Sequence, residues 1–231
     1  MEEGLLDSVR LGDRKALARA ISLVEQGETW PLTSEKRPHV LGVTGPPGAG
    51  KSTLISAMVG RMRSRGETVA ILAVDPSSPI TGGALLGDRV RMQGHVGDAG
   101  VFIRSMATRG HLGGLASAAG AALDLMGLAG FDRLIVETVG VGQSEVEVMH
   151  VADHVLLVIG PSWGDEIQAE KAGVIEIADL IVVNKADRPE ADEVRRALIR
   201  ARGDEEVLLA SALTGAGVEE LLAAVDSLPG P

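Results

Sequence analysis

Apolar runs of strand length alternate along this chain with stretches whose apolar positions recur at helical spacing. The strand-like runs are His39–Val43, Val69–Val74, Val101–Arg104, Arg133–Glu137, Val155–Ile159, Leu180–Val183 and Val207–Leu209. Helices fill most of the gaps, so the spacing predicts an α/β fold, a doubly wound and mostly parallel sheet that binds ligands beyond the carboxyl ends of its strands. Ahead of it, Leu5, Leu6, Val9, Leu17, Ala20, Ile21 and Val24 suit one or two amphipathic helices broken near Gly12-Asp13. Gly27 to Arg37, with Pro31, reads as a linker. The expected organisation is a helical extension and linker over 1–37, then one domain over 38–231. The Gly-rich piece from Gly110 to Gly120 is read as a loop entering an Ala-rich helix, because Leu115, Ala119, Ala122, Leu123 and Met126 keep helical spacing.

Gly45-Pro46-Pro47-Gly48-Ala49-Gly50-Lys51-Ser52 fits the phosphate-loop pattern G-x-x-x-x-G-K-[ST] between an apolar strand and Thr53-Leu54-Ile55. Glycines let successive backbone N–H groups face one anion, the next helix presents its positive end, and Lys51 adds a full charge for the terminal phosphates. Ser52 is placed to ligate magnesium. Further along, Asn184-Lys185-Ala186-Asp187 follows Leu180-Ile181-Val182-Val183 and is followed in turn by Ser211-Ala212-Leu213. A carboxylate at Asp187 can accept from both N1–H and the exocyclic amine of guanine, a pair that adenine does not offer, so the two motifs together specify GTP and GDP.

Bulk properties narrow the classes. A chain of 231 residues with 45% hydrophobic and 23% charged residues is an ordinary globule with room for one generous core. The acidic start Met1-Glu2-Glu3 and the lack of a membrane-length apolar stretch lead to the expectation of a cytoplasmic protein with no membrane contact. A net charge of −10 disfavours nucleic acid, and 2% aromatic residues leave little with which to stack bases. The absence of cysteine excludes disulfides and thiolate metal sites. The five histidines form no recognisable set; His95 and His111 read as surface or loop residues, and Met58, Met62, Met92 and Met126 as core filling.

Three carboxylates are candidates for the metal. Asp75 ends the second strand, where Pro76 biases it towards extended backbone; it either holds Mg2+ or caps a Pro-bearing turn. Asp88, after Thr81-Gly82-Gly83, either approaches the metal or caps a helix. Glu137 ends Leu134-Ile135-Val136 at the Walker B position, and Gly140 is placed to offer its N–H to a γ-phosphate. Ras-like enzymes place a water-orienting glutamine directly after this glycine, whereas here Val141 follows; Gln143 is the substitute candidate, and unaided hydrolysis is expected to be slow.

Val74-Asp75-Pro76-Ser77-Ser78-Pro79 through Thr81-Gly82-Gly83, Leu86-Gly87-Asp88-Arg89, the run Arg104-Ser105-Met106-Ala107-Thr108-Arg109-Gly110-His111-Leu112-Gly113-Gly114 and Glu137-Thr138-Val139-Gly140-Val141-Gly142-Gln143-Ser144-Glu145 closely resemble the MeaB and MMAA GTPases associated with methylmalonyl-CoA mutase. The resemblance implies a P-loop GTPase that gates adenosylcobalamin loading and protects or reactivates a B12-dependent acyl-CoA mutase, its partner, with hydrolysis stimulated by that partner. It places Lys51 and Ser52 at phosphate and magnesium, Asp75 and Asp88 in metal-linked switch regions and Glu137 as the Walker B carboxylate. The family's mobile loop corresponds to Gly160 through Lys171, making Asp165, Glu166 and Lys171 candidate relays and Trp163 either a partner anchor or a packed residue. Family members continue into a helical dimerisation arm where this sequence stops at Leu228-Pro229-Gly230-Pro231, so the expectation is a monomer or a nucleotide- or partner-dependent dimer. An older family label, a kinase linked to lysine, arginine or ornithine transport, is the alternative. A nickel-insertion GTPase is a third class, weakened by the missing cysteines.

Overall fold

The computed structural model describes residues 3–30, 37–76, 93–95, 97–108, 114–138, 149–161, 175–203 and 207–230. Among the described residues, seven strands form one sheet: β1 (Val40–Thr44), β2 (Val69–Pro76), β3 (Val101–Thr108), β4 (Arg133–Thr138), β5 (His154–Ile159), β6 (Leu180–Val183) and β7 (Val207–Leu209). Their order is β3-β2-β4-β1-β5-β6-β7, and every pairing is parallel. The helices are α1 (Glu3–Arg10), α2 (Arg14–Glu25), α3 (Lys51–Ser64), α4 (Gly114–Leu128), α5 (Ala191–Arg202) and α6 (Val218–Asp226).

Parallel strands covered on both faces must be apolar at consecutive positions, and the alternation of their side chains sorts these residues between two layers. Leu41, Val43, Ile71, Ile135, Leu156 and Val182 pack with Leu54, Met58 and Met62 of α3 and Leu221 of α6. On the other face, Val40, Leu72, Leu134 and Val136 meet Leu17 and Ile21 of α2 and Leu123 and Met126 of α4. Ile159, Ile181 and Val183 meet Val194 and Leu198 of α5. Met58, Met62 and Met126 are thus core residues, each at most 2% exposed.

The N-terminal helices lie on this second layer along the edge strand β3. Asp13 caps α2 by accepting from the N–H groups of Lys15 and Ala16. Arg14 donates to the carbonyls of Ala99 and Val101 and stacks 5.5 Å from the Phe131 ring centroid. At the far end of the helix, Arg104 of β3 donates to Glu25 at 2.5 Å and to Ser22 at 3.0 Å. Trp30, within the stretch read as a linker, packs half-buried against the same cluster. No helix among the described residues is long and apolar enough to cross a membrane.

Candidate functional site

The sheet's strand order reverses at β1: the chain goes on to β2, β3 and β4 on one side of it, and to β5, β6 and β7 on the other. In open parallel sheets such a switch point leaves a crevice at the carboxyl ends of the strands. Residues 45–50 leave β1 there and enter α3 directly. Gly45 turns with φ +146°, and a Cβ on it would sit 2.0 Å from the Val158 carbonyl oxygen of β5, so only glycine lets the loop start this close to the sheet. Gly50 is the left-handed N-cap of α3 and makes no side-chain cap, which leaves the first N–H groups of the helix turned towards the loop.

Lys51, 7% exposed, donates its Nζ to the carbonyls of Gly45 at 2.6 Å and Pro46 at 3.2 Å, so its ammonium lies under the arch of the loop. Ser52 donates its Oγ to Glu137 Oε1 at 2.6 Å, joining the first turn of α3 to the end of β4, and both residues are buried. The sequence-read pair Ser52 and Glu137, 85 positions apart, therefore does come together. Asp75 is placed by its backbone at the same end of the sheet, on β2 opposite Ala107 of β3. Asp88, Gly140 and Gln143 lie outside the described residues, as do Met92, His111, Trp163, Asp165, Glu166 and Lys171.

The second half of the site comes from the ends of β6 and β7. Asn184, 1% exposed, donates its amide to the carbonyls of Ala49 at 3.0 Å and Gly50 at 3.3 Å, and its Oδ1 accepts from the N–H of Ala212 at 3.1 Å. One side chain thereby ties the phosphate loop, the 184–187 turn and the 211–213 turn together. Lys185 occupies the left-handed region at φ +62°, which for a non-glycine residue costs on the order of 1 kcal/mol or more. Its Nζ donates to the Gly48 carbonyl at 2.6 Å, which holds it in that conformation. Ser211 donates to Asp187 Oδ1 at 2.5 Å, and this bond, with a backbone hydrogen bond and the nearby Arg188 and Lys185 charges, holds the Asp187 carboxyl below the usual carboxylate range. Asp187 is therefore an ionised acceptor.

Gly50, Thr53, Asn184, Lys185, Asp187, Arg188, Ala212 and Leu213 line a cavity of about 170 Å³, and Leu213 is 83% exposed at its rim. Arg188 is the lining residue that motif reasoning missed; its place directly after the N-K-x-D tetrad was the available signal. Gly160, directly after β5, has its prospective Cβ 3.5 Å from Ala49 Cα, so the chain leaves β5 beside the phosphate loop. His95 stands apart, donating from Nε2 to the Ser56 carbonyl of α3 at 2.9 Å. A larger cavity of about 310 Å³, bounded by His39, His154 and Arg133 among others, lies at the opposite, amino end of the strands and holds none of these groups.

A family model described as methylmalonyl Co-A mutase-associated GTPase MeaB matches residues 17–228. A Pyrococcus horikoshii protein named as a GTPase is 53% identical over 197 residues, covering 81% of this chain and 62% of its own length. The mouse (Mus musculus) methylmalonic aciduria type A homolog, mitochondrial, is 37% identical over 243 residues, covering 91% of this chain and 59% of its own. A crystal structure described as a LAO/AO transport system kinase superposes with a TM-score of 0.74 at 30% identity, over 97% of this chain and 73% of that one. The chain thus spans about three fifths of the length of these two curated relatives.

Proposed function

The chain belongs to the MeaB family of methylmalonyl-CoA mutase-associated GTPases, and on that premise we propose that it binds GTP and GDP with Mg2+ and hydrolyses GTP to GDP and phosphate. The observation that carries this reading is the Asn184 bridge, which holds the phosphate loop and the Asp187 turn in one rigid frame. Within that frame Lys51 and the backbone N–H groups of residues 48–53 face the phosphates, Pro46 and Pro47 having no N–H to offer. Asp187 keeps one oxygen on Ser211, and a carboxylate's capacity of about four hydrogen bonds leaves room for both guanine donors. The donor set at the phosphate end fits Mg2+, since Ser52 and Glu137 present hard oxygens 2.6 Å apart, with Asp75 and Asp88 as the further candidates. When bound, the metal supplies positive charge to the β- and γ-phosphate oxygens. Gly140 offers its N–H to the γ-phosphate, and Val141 after it leaves water orientation to Gln143 or to a partner, so turnover without a partner is slow.

The biological role in this reading is nucleotide-gated loading and protection of a B12-dependent acyl-CoA mutase in the cytoplasm, with Asp165, Glu166 and Lys171 as candidate relays of nucleotide state, Trp163 as either a partner anchor or a packed residue, and oligomeric state set by nucleotide or partner. Linkage requires that a mutase which distinguishes GTP from GDP forms also alters the relative affinity of the two nucleotides. A pull-down and turnover assay with the encoded mutase tests it. A nucleotide-dependent complex with faster hydrolysis supports the role; no complex in any nucleotide state and an unchanged rate overturn it. A second reading, a kinase linked to lysine, arginine or ornithine transport, draws on the description of the 30% identical structure. The sequence has no H-R-D catalytic loop, and stable transfer of label from GTP or ATP to a binding protein would decide in that reading's favour.

A further inference from the structure

Among the described residues, the buried polar and charged side chains fall into two groups. Lys51, Ser52, Glu137, Asn184 and Ser211 belong to the site described above. Thr44 and Thr138, each 1% exposed, do not, and they are bonded to each other: Thr138 Oγ1 donates to Thr44 Oγ1 at 3.1 Å. A buried pair of hydroxyls needs a reason, because an apolar pair of the same shape avoids the desolvation cost.

Their position supplies one. The β1–β4 register runs to Val43 opposite Glu137, and the hydroxyl pair sits one rung further on. Side chains alternate along a strand, so Val43 and Glu137 face α3 while Thr44 and Thr138 face the opposite layer. Thr44 is the residue before Gly45, where the chain leaves the sheet to form the phosphate loop. Thr138 is the last residue of β4, opposite Val74 on its other flank, and Val74 directly precedes Asp75. In sequence, Thr138 also lies between Glu137 and Gly140. The bond therefore joins two chain departures, one leading to the α- and β-phosphate cradle and the other to the groups assigned to the γ-phosphate.

We infer that Thr44 and Thr138 are positioning residues of the nucleotide site, whose hydroxyl pair fixes the exit of β4 against the start of the phosphate loop and so sets discrimination between a triphosphate and a diphosphate. The inference rests on the guanine-nucleotide reading given above. It acts on the ratio of the two affinities, since a diphosphate touches the first departure and only a triphosphate needs both in register. A neutral buried hydrogen bond changes an equilibrium by about two- to twelvefold, and that is the size expected here.

The test compares affinities for GDP and a non-hydrolysable GTP analogue, with saturating Mg2+, in the wild type, Thr138→Val, Thr138→Ser and Thr44→Val. Valine keeps the shape and removes the hydroxyl; serine keeps the hydroxyl. Both valine variants should lower the analogue-to-GDP affinity ratio by about two- to twelvefold with GDP affinity near wild type, and serine should retain the wild-type ratio. An unchanged ratio in the valine variants, an equal loss for both nucleotides, or a serine variant as impaired as valine overturns the inference. Should Thr138→Val fail to fold, Thr44→Val reads the same ratio. A wild type that binds neither nucleotide refutes the guanine-nucleotide reading instead, so the two failures are distinguishable.

Discussion

Replacing Asn184 by alanine removes three hydrogen bonds at once, two donated to the phosphate loop and one accepted from Ala212. Each is neutral, the bond to Ala49 buried and the other two partly so, and such bonds contribute about 0.5–1.5 kcal/mol net, so the direct loss is about 2–4 kcal/mol. The N–H of Ala212 and the carbonyls of Ala49 and Gly50 then depend on water reaching a place that is 1% exposed in the native fold, which pushes the loss towards the upper end. For a domain of this size, about 2–4 °C of melting temperature accompanies each kcal/mol, predicting a fall of roughly 4–16 °C. Nucleotide affinity should fall too, because the phosphate loop and the Asp187 turn would have to be brought into register during binding; about tenfold is expected if one such bond's worth of ordering moves into the binding step. Thermal melting of the nucleotide-free protein and fluorescence titration with a labelled GDP measure the two effects. A melting shift below about 1 °C together with affinity within about twofold of wild type would refute the bridging role, because lost buried bonds of this kind do not cancel so completely.

Other expectations follow from the same geometry. Asp187→Asn should move base preference from guanosine towards xanthosine nucleotides, checked by competition binding; retained guanine selectivity would remove Asp187 from base recognition. Lys51→Ala should weaken GTP and GDP binding by about a hundredfold or more, since charge-assisted contacts contribute about 1.5–3 kcal/mol each, and near-normal GDP affinity by calorimetry would contradict the loop assignment. Acid stability is set partly by Asp132, whose carboxylate accepts from the backbone N–H and then the hydroxyl of Thr68, both at 2.7 Å, and is held below its usual 3.8. Because the folded value is the lower one, its contribution is present above pH 3.8 and is lost as pH falls through the depressed value. Asp132→Asn should accordingly flatten the fall in stability below that pH, and an unaltered slope in urea titrations at several acid pH values would count against it.

How far the sequence foretold this structure depended on the kind of interaction involved. All seven strands were legible because a parallel strand covered on both faces has to be apolar at successive positions, as in Leu180–Val183. The strands β2 and β3 nevertheless run further than their apolar runs, to Pro76 and Thr108, since Asp75 pairs with Ala107 and Pro76 with Thr108 through backbone groups that carry no hydrophobic signal. Arg104 ends the apolar pattern of β3, yet it points to the helical layer, where Glu25 and Ser22 receive it. The phosphate loop and the Asn184 turn were readable because their spacing is local and chemically demanding. Three contributors were not: the Val158 carbonyl that forces glycine at position 45, the hydroxyl pair of Thr44 and Thr138, and the seat of Trp30, all of which depend on residues brought near by the sheet order.

The closure of Asn184 onto Ala49 spans 135 positions of the chain. A nascent polypeptide would therefore possess its anion-holding turn long before it could tell one purine from another, and the last three-residue strand, β7, has to dock before the Ser211 hydroxyl can reach Asp187. Contacts of such long sequence separation form late and slowly. Base selectivity is for that reason a property of the finished sheet, and a ligand that waits for it stabilises only molecules in which the ends of β6 and β7 have already met the loop after β1.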